Sequence, residues 1–154
     1  MTSTAAIPQT WLGFDFGTIN IGVASAQLVT RTATALPPLK AKDGIPNWNN
    51  VATLIKEWQP EALLIGMPYN MDGTESDMVL RARKFGKRLH GRFNLPVYEA
   101  DERLSSFEAK DWAGKLGHNG YYKANPVDSM AAQVILESWL NDENNPLINP
   151  PHKD

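Results

Sequence analysis

The sequence predicts an α/β fold: a mixed five-stranded sheet, its first three strands antiparallel and its last two parallel to the first, with helices on both faces. Three observations predict it. Strand patterns at about 11–16, 20–29 and 32–39 follow one another through short links, and short links join antiparallel strands. The later apolar runs at 62–66 and 95–100 are each preceded by a segment of helical spacing, the arrangement that brings a strand back parallel. Ala62-Leu-Leu-Ile-Gly66 is continuously apolar between breakers, as in a strand covered on both faces.

Each element has its own signal. Leu12, Phe14 and Phe16 share one strand face, and Gly13 and Asp15 share the other. Gly17-Thr18-Ile19 is the turn into the second strand. The third strand, Thr32–Leu39, is expected to stop at Pro37 and Pro38, with Lys40–Asn47 a loop. Val51, Leu54, Ile55 and Trp58 recur at helical spacing, so 47–59 reads as an amphipathic helix closed by Pro60. Met67–Thr74 is a loop at the carboxyl end of the buried strand. The helix after it runs to about His90, with Met78, Ala82, Phe85 and Leu89 inward and Arg81, Arg83, Lys84, Lys87 and Arg88 on its other faces. That basic face reads first as a solvated surface.

The strand 95–100 runs into Asp101-Glu102-Arg103. Ser105 and Glu108 form a capping-box pattern for a helix to about Leu116, and 117–125 is a Gly/Tyr loop containing His118. The last helix runs from Pro126 to about Leu140, with Asp128, Ala131, Ala132, Ile135 and Trp139 on one face. A flexible leader (1–10), one domain (11–140) and a disordered, proline-bearing tail (141–154) complete the expectation.

A chain of 154 residues accommodates one domain with a real core. With no cysteine, disulfides and thiol chemistry are excluded, and any metal site must use oxygen or histidine ligands. His90, His118 and His152 have no zinc-ligand spacing. The first residues lack a basic region and a long apolar core, and no apolar run has membrane-spanning length, so the cytoplasm is the expected compartment. A net charge of −2 argues against a protein that coats nucleic acid indiscriminately, while leaving room for a local basic patch.

The acids carry the chemical signal. An aspartate is a poor strand former, so Asp15 conflicts with the apolar strand around it, and such conflicts are expected at functional sites. In parallel α/β sheets ligands bind beyond the carboxyl ends of the strands. Asp15 lies near such an end, as do Asp101 and Glu102. The loop bearing Asn70, Asp72 and Thr74 leaves another, and Asp128 opens the last helix. Three converging carboxylates without cysteine suit a hard cation, Mg²⁺ or Mn²⁺. Two such ions ~4 Å apart serve phosphodiester hydrolysis. Asp15, Glu102 and Asp128 are the candidates for metal and catalysis. Each also has a plainer role: Asp15 as a turn former, Asp101 and Glu102 as a strand–helix junction with Arg103 as ion-pair partner, and Asp128 as a helix-start residue behind Asn125 and Pro126.

Four segments together resemble the YqgF/RuvX family, which has an RNase H-like fold. They are Phe14-Asp-Phe-Gly-Thr with Ile21-Gly-Val-Ala, Gly66-Met-Pro-Tyr-Asn-Met-Asp-Gly-Thr-Glu75, Asp101-Glu-Arg-Leu-Ser-Ser106 and Val127-Asp-Ser-Met-Ala-Ala132. They span 11–140 in the family's order. The resemblance implies a nuclease that processes the 5′ end of pre-16S rRNA during ribosome biogenesis, with Asp15, Glu102 and Asp128 as its acids. Arg103, Asn70, Asp72, Thr74 and Lys123 are the expected substrate contacts. Structured precursor rRNA is the implied partner, and monomer or weak dimer the expected state. Two alternatives stand beside it: a Holliday junction resolvase-like enzyme on branched DNA, and a non-catalytic nucleic-acid-binding protein in ribosome assembly or transcription. Where many members carry positive charge, this chain has Ile19-Asn20 in the first turn and Ala124-Asn-Pro126 before the last acid.

Overall fold

The computed structural model of the chain describes residues 7–102 and 127–148. The expected helix over 105–116 and the loop with His118 lie outside them. The described chain forms strands β1 (Thr10–Asp15), β2 (Asn20–Gln27), β3 (Thr32–Lys42), β4 (Ile45–Pro46), β5 (Ala62–Met67) and β6 (Val97–Asp101). Its helices are α1 (Trp48–Trp58), α2 (Asp77–Phe93) and α3 (Val127–Asn141). The sheet order is β4-β3-β2-β1-β5-β6. β1, β2 and β3 pair antiparallel, and β5 and β6 run parallel to β1.

The sheet has six strands where five were expected, and β3 does not stop at its prolines. The register passes from Val23↔Leu36 to Ile21↔Leu39, so Pro37 and Pro38 fall in a bulge opposite Gly22, where their missing N–H groups cost the ladder little. The strand then continues to Lys42 and folds back as β4. The turn is Asp43-Gly44, both residues at positive φ (51° and 81°), the conformation favoured in two-residue hairpins. A side chain on Gly44 would also strike the Phe16 ring, 2.8 Å from where its Cβ would sit.

Alternation along the strands sorts the core into two layers. On one face Leu12, Phe14, Phe16, Val23, Leu63, Ile65 and Met67 pack with α1 and α2. Phe85 of α2 is the ring hub there, with its centroid 5.7 Å from those of Phe14 and Phe16 and 6.0 Å from that of Trp48. On the other face Trp11, Ala24, Ala26, Ala33, Ala62 and Leu64 pack with Ala132, Ile135, Leu136 and Leu140 of α3. Small alanines let α3 lie close to the sheet. Asn47 caps α1 by accepting from Asn49 N–H (2.9 Å), and Ser76 caps α2 by accepting from Val79 N–H (3.3 Å). Both helices end on a left-handed residue, Gln59 and Asn94.

Alongside Ala33, where β3 has no strand beyond it, α3 supplies the partners. Glu137 Oε2 accepts from Ala33 N–H (2.9 Å), and Gln133 Nε2 donates to Ala33 O (2.8 Å), which protects the open edge. The residues after α3 also differ from the expected loose tail: Asn145 and Ile148 are buried, and Leu147 packs on the α3-side core. Before β1, Trp11 Nε1 donates to Pro8 O (2.8 Å) and Ile7 joins the same cluster, so the leader is packed from residue 7. Among the described residues no helix is long and apolar enough to cross a membrane.

Candidate active site

The carboxyl ends of β1, β5 and β6 lie side by side. Asp15 is the register partner of Gly66, and Gly66 is the partner of Ala100. These three positions therefore point to one face, the face that carries α3. Glu102, two residues beyond Ala100, follows the same alternation, and its N–H donates to Met67 O (3.0 Å), extending the pairing past the end of β6.

Gly66 is the residue that lets the acids approach. A Cβ placed on it would meet Ile135 Cδ1 at 2.9 Å and Glu102 Oε2 at 3.4 Å. The Glu102 carboxylate thus leans over the middle strand into the space beside Gly66. Strands are spaced by about 4.8 Å, so the carboxylate has crossed one of the two strand spacings that separate β6 from Asp15. Its Oε2 is buried, and Asp15 and Glu102 are both half-buried as residues. Asp101 pairs with Met67, whose side chain belongs to the α2-side core, so Asp101 faces the opposite way from Asp15. It lines a separate cleft of about 390 Å³ with Met67, Tyr69 and Gly73.

The third acid enters through α3. Position 128 lies in its first turn, and the Asp128 side chain is outside the description. The next residue, Ser129, is fully buried, and its Oγ accepts from Val23 N–H (3.4 Å). Val23 pairs with Phe14, and Gly22 with Asp15. The β3 bulge at Gly22 leaves the Val23 amide to this serine, which fastens the first turn of α3 against β2 beside the end of β1. Among the described residues no three histidine or acid side chains gather closely enough to hold an ion.

The Asn70–Thr74 loop leaves β5 at the same edge and is ordered by its own side chains. Thr74 N–H and Oγ1 donate to Asp72 Oδ1 (3.0 and 2.6 Å), Asn70 Nδ2 donates to Thr74 Oγ1 (3.0 Å), and Asn70 N–H donates to Thr74 O (3.0 Å). All three side chains are exposed. Arg83 latches this loop to the sheet: it pairs with Glu75 (3.0 Å) and Glu99 (3.1 Å) and donates to Tyr69 Oη (3.4 Å). Those bonds, first to Glu75 and then to Glu99, hold the guanidinium above the ordinary arginine range. Arg103 and Lys123 lie outside the described residues.

Sequence reasoning passed over Gly66, Ser129 and Arg83. Gly66 had a readable signal, because a glycine ending an apolar strand marks a close approach. Ser129 had none, since the bulge that frees its partner amide is a tertiary event.

Comparison with known proteins identifies the family and agrees with the fold. The model of the family described as "RuvX: Holliday junction resolvase" matches residues 9–142. A protein of Saccharophagus degradans named "Putative pre-16S rRNA nuclease" is 55% identical over 131 residues, covering 85% of this chain and 92% of its own. Proteins of the same name from Pseudomonas fluorescens (strain SBW25) and Chromohalobacter salexigens are 56% and 57% identical. They align over 89% and 86% of this chain and 94% and 89% of their own. Among solved structures, T. thermophilus RuvC in complex with Holliday junction substrate superposes with a TM-score of 0.53 at 16% identity, covering 85% of this chain and 92% of that one. The yeast mitochondrial Holliday junction resolvase Ydc2 gives 0.50 at 14% identity, covering 84% and 77%. These two likenesses show the shared RNase H-like fold. With residues 9–142 matched and relatives 55–57% identical along most of both chains, the chain belongs to the RuvX family.

Proposed function

We propose that this protein is a metal-dependent endonuclease that hydrolyses phosphodiester bonds in structured precursor rRNA, at the 5′ end of pre-16S rRNA. The observation that carries the reading is that Asp15 and Glu102 share one face at the ends of the strands on either side of β5, with Gly66, which has no side chain, between them. The shared name of the relatives supports the substrate class.

The residues fit a divalent cation. Both described donors are carboxylates, the set that Mg²⁺ and Mn²⁺ prefer, and Glu102 Oε2 lies 3.4 Å from where a Cβ on Gly66 would stand. Asp15 and Glu102 would hold the ion, and Asp128 is the third ligand of this reading. When bound, the cation supplies charge stabilisation and a more acidic water. The chain does the rest. Ile135 and the packed start of α3 restrict water on one side of the carboxylates. The self-bonded loop with Asn70, Asp72 and Thr74 offers rigid polar groups to the substrate backbone, together with Arg103 and Lys123. A cytoplasmic protein, monomeric or weakly dimeric, completes the reading.

A four-way DNA junction is the second substrate class, favoured by the description of the matching family. Coordinated cuts on such a junction require a dimer. The test uses purified protein with Mg²⁺ on a pre-16S rRNA fragment and on a four-way junction, beside Asp15→Asn. The expected result is RNA cleavage that falls at least ~100-fold in the variant, since even outer partners of metal ligands are worth 10–100-fold. Equal cutting by both proteins contradicts the site, and selective cutting of the junction shifts the substrate to DNA.

A further inference from the structure

The catalytic edge accounts for one end of α2 and leaves its outer surface unused. This helix carries Arg81, Arg83, Lys84, Lys87, Arg88 and Arg92 against a single acid, Asp77, in a chain whose net charge is −2. Three of these cations are already engaged. Arg81 pairs with Asp43 (3.2 Å) and Asp77 (3.5 Å), Arg83 with Glu75 and Glu99, and Arg92 lies over the Trp48 ring at 4.3 Å. Lys84, Lys87 and Arg88 have no acid partner among the described residues. They are three and four residues apart, so they form one stripe along the helix. Gly91 continues it one turn on, with open space where a side chain would stand.

The stripe is joined to the catalytic edge by a cleft. A depression of about 190 Å³ lies between the β3–β4 hairpin and α2; Phe16, Ile45, Lys84 and Arg88 line it together with the Arg81–Asp43 ion pair, in which the one carboxylate of the lining is matched. Phe16 directly follows Asp15. The hairpin is fixed to the turn after Asp15 by two backbone bonds, Ala41 N–H to Ile19 O (2.7 Å) and Gly44 N–H to Thr18 O (2.9 Å). Ile19 and Ile45 stand on these turns at 72% and 48% exposure. A polyanion reaching Asp15 over this side therefore meets an apolar knuckle first and unpaired cations next.

We propose that Lys84, Lys87 and Arg88, with the adjoining cleft, bind the sugar–phosphate backbone of the substrate strand outside the cut site. The inference rests on the nuclease reading above and deepens it by giving the substrate a second footing on the opposite face of the sheet from Glu102. A polyanion is the occupant that the charge selects. A chain with net negative charge that sets three cations without an acid partner among the described residues in one stripe is arranged for local attraction.

The test measures binding of a labelled pre-16S rRNA fragment to the full chain in EDTA between 50 and 300 mM KCl, and cleavage with Mg²⁺. The variants are Lys84→Gln/Lys87→Gln/Arg88→Gln, the charge-keeping Lys84→Arg/Lys87→Arg/Arg88→Lys, and Lys56→Gln on α1. The charge-removing variant is expected to bind at least ~10-fold more weakly at 100 mM salt. Its slope of log K against log salt should be shallower by about 2–3, since each neutralised phosphate contributes roughly 0.7–0.9. Its KM should rise with kcat retained, while the charge-keeping variant and Lys56→Gln match wild type. Unchanged affinity and slope, in a protein whose cutting still depends on Asp15, overturns the inference alone. An equal loss in Lys56→Gln also overturns it, because the attraction is then diffuse. A wild-type protein that neither binds nor cuts the RNA overturns the nuclease reading and this inference together.

Discussion

The two faces of the sheet are built from the same strands and differ in almost every physical respect. The α2 face is packed with large side chains: Phe14, Phe16, Met67 and Phe85 interlock with the Trp48 ring, and the helix above them turns a basic surface outward. The α3 face is packed with alanines and one deeply buried tryptophan, and α3 is bonded to it by Ser129, Gln133 and Glu137. Asp15 and Glu102 belong to the α3 face. The difference teaches that alternation alone separates two tasks. Where the strands end, every second residue points to the side of Asp15 and Glu102, and every other one to the side of α2 and its basic outer surface.

The largest expected effect tests whether α3 depends on the α3-face core. Trp11 is fully buried between Tyr98 and Trp139. Trp11→Ala should lower stability by about 3–5 kcal/mol, measured by denaturant unfolding. A cost under about 1 kcal/mol would break the claim that this layer anchors the helix. The next effect sharpens the comparison across one peptide bond. Gly66→Val places atoms against Ile135 and Glu102, so overpacking should cost about 1–3 kcal/mol and cleavage should fall at least ~10-fold. Its neighbour Met67 faces the other way, and Met67→Leu should cost less than about 1.5 kcal/mol and leave cleavage within ~2-fold. Smallest is Arg83→Ala. Its ion pairs are partly exposed, so stability should change by about 0–1 kcal/mol. The sign of its role is instead faster amide exchange at Asn70 and Gly73, whose N–H groups bond within the loop. Unaltered exchange would show that the loop orders itself without the latch.

Much of this was legible in the chain. Short links against helical crossovers gave the strand directions, and the conflict of Asp15 with its strand marked it as a candidate. The order of the four family segments nominated Glu102 and Asp128 as the other candidate acids. Four things were not legible, each for a physical reason. The prolines of β3 looked like a terminus because a bulge needs its partner strand to be recognised. Asp43-Gly44 was passed over as a hairpin because β4 is only two residues long and carries no alternation of its own. The choice between Asp101 and Glu102 required the register of β6 on β5, which a one-residue slip would reverse. The packing of Ile148 was hidden by the polar, proline-bearing sequence around it.

The central claim is that the face of the sheet decides which acid takes part. It is tested most directly by comparing Asp101→Asn with Glu102→Gln in Mg²⁺-dependent cleavage of the pre-16S rRNA fragment, with thermal unfolding measured on both proteins. The account predicts that Glu102→Gln lowers cleavage at least ~100-fold, while Asp101→Asn stays within ~3-fold of wild type and both remain folded. Loss of cleavage in Asp101→Asn, with Glu102→Gln active, would contradict it.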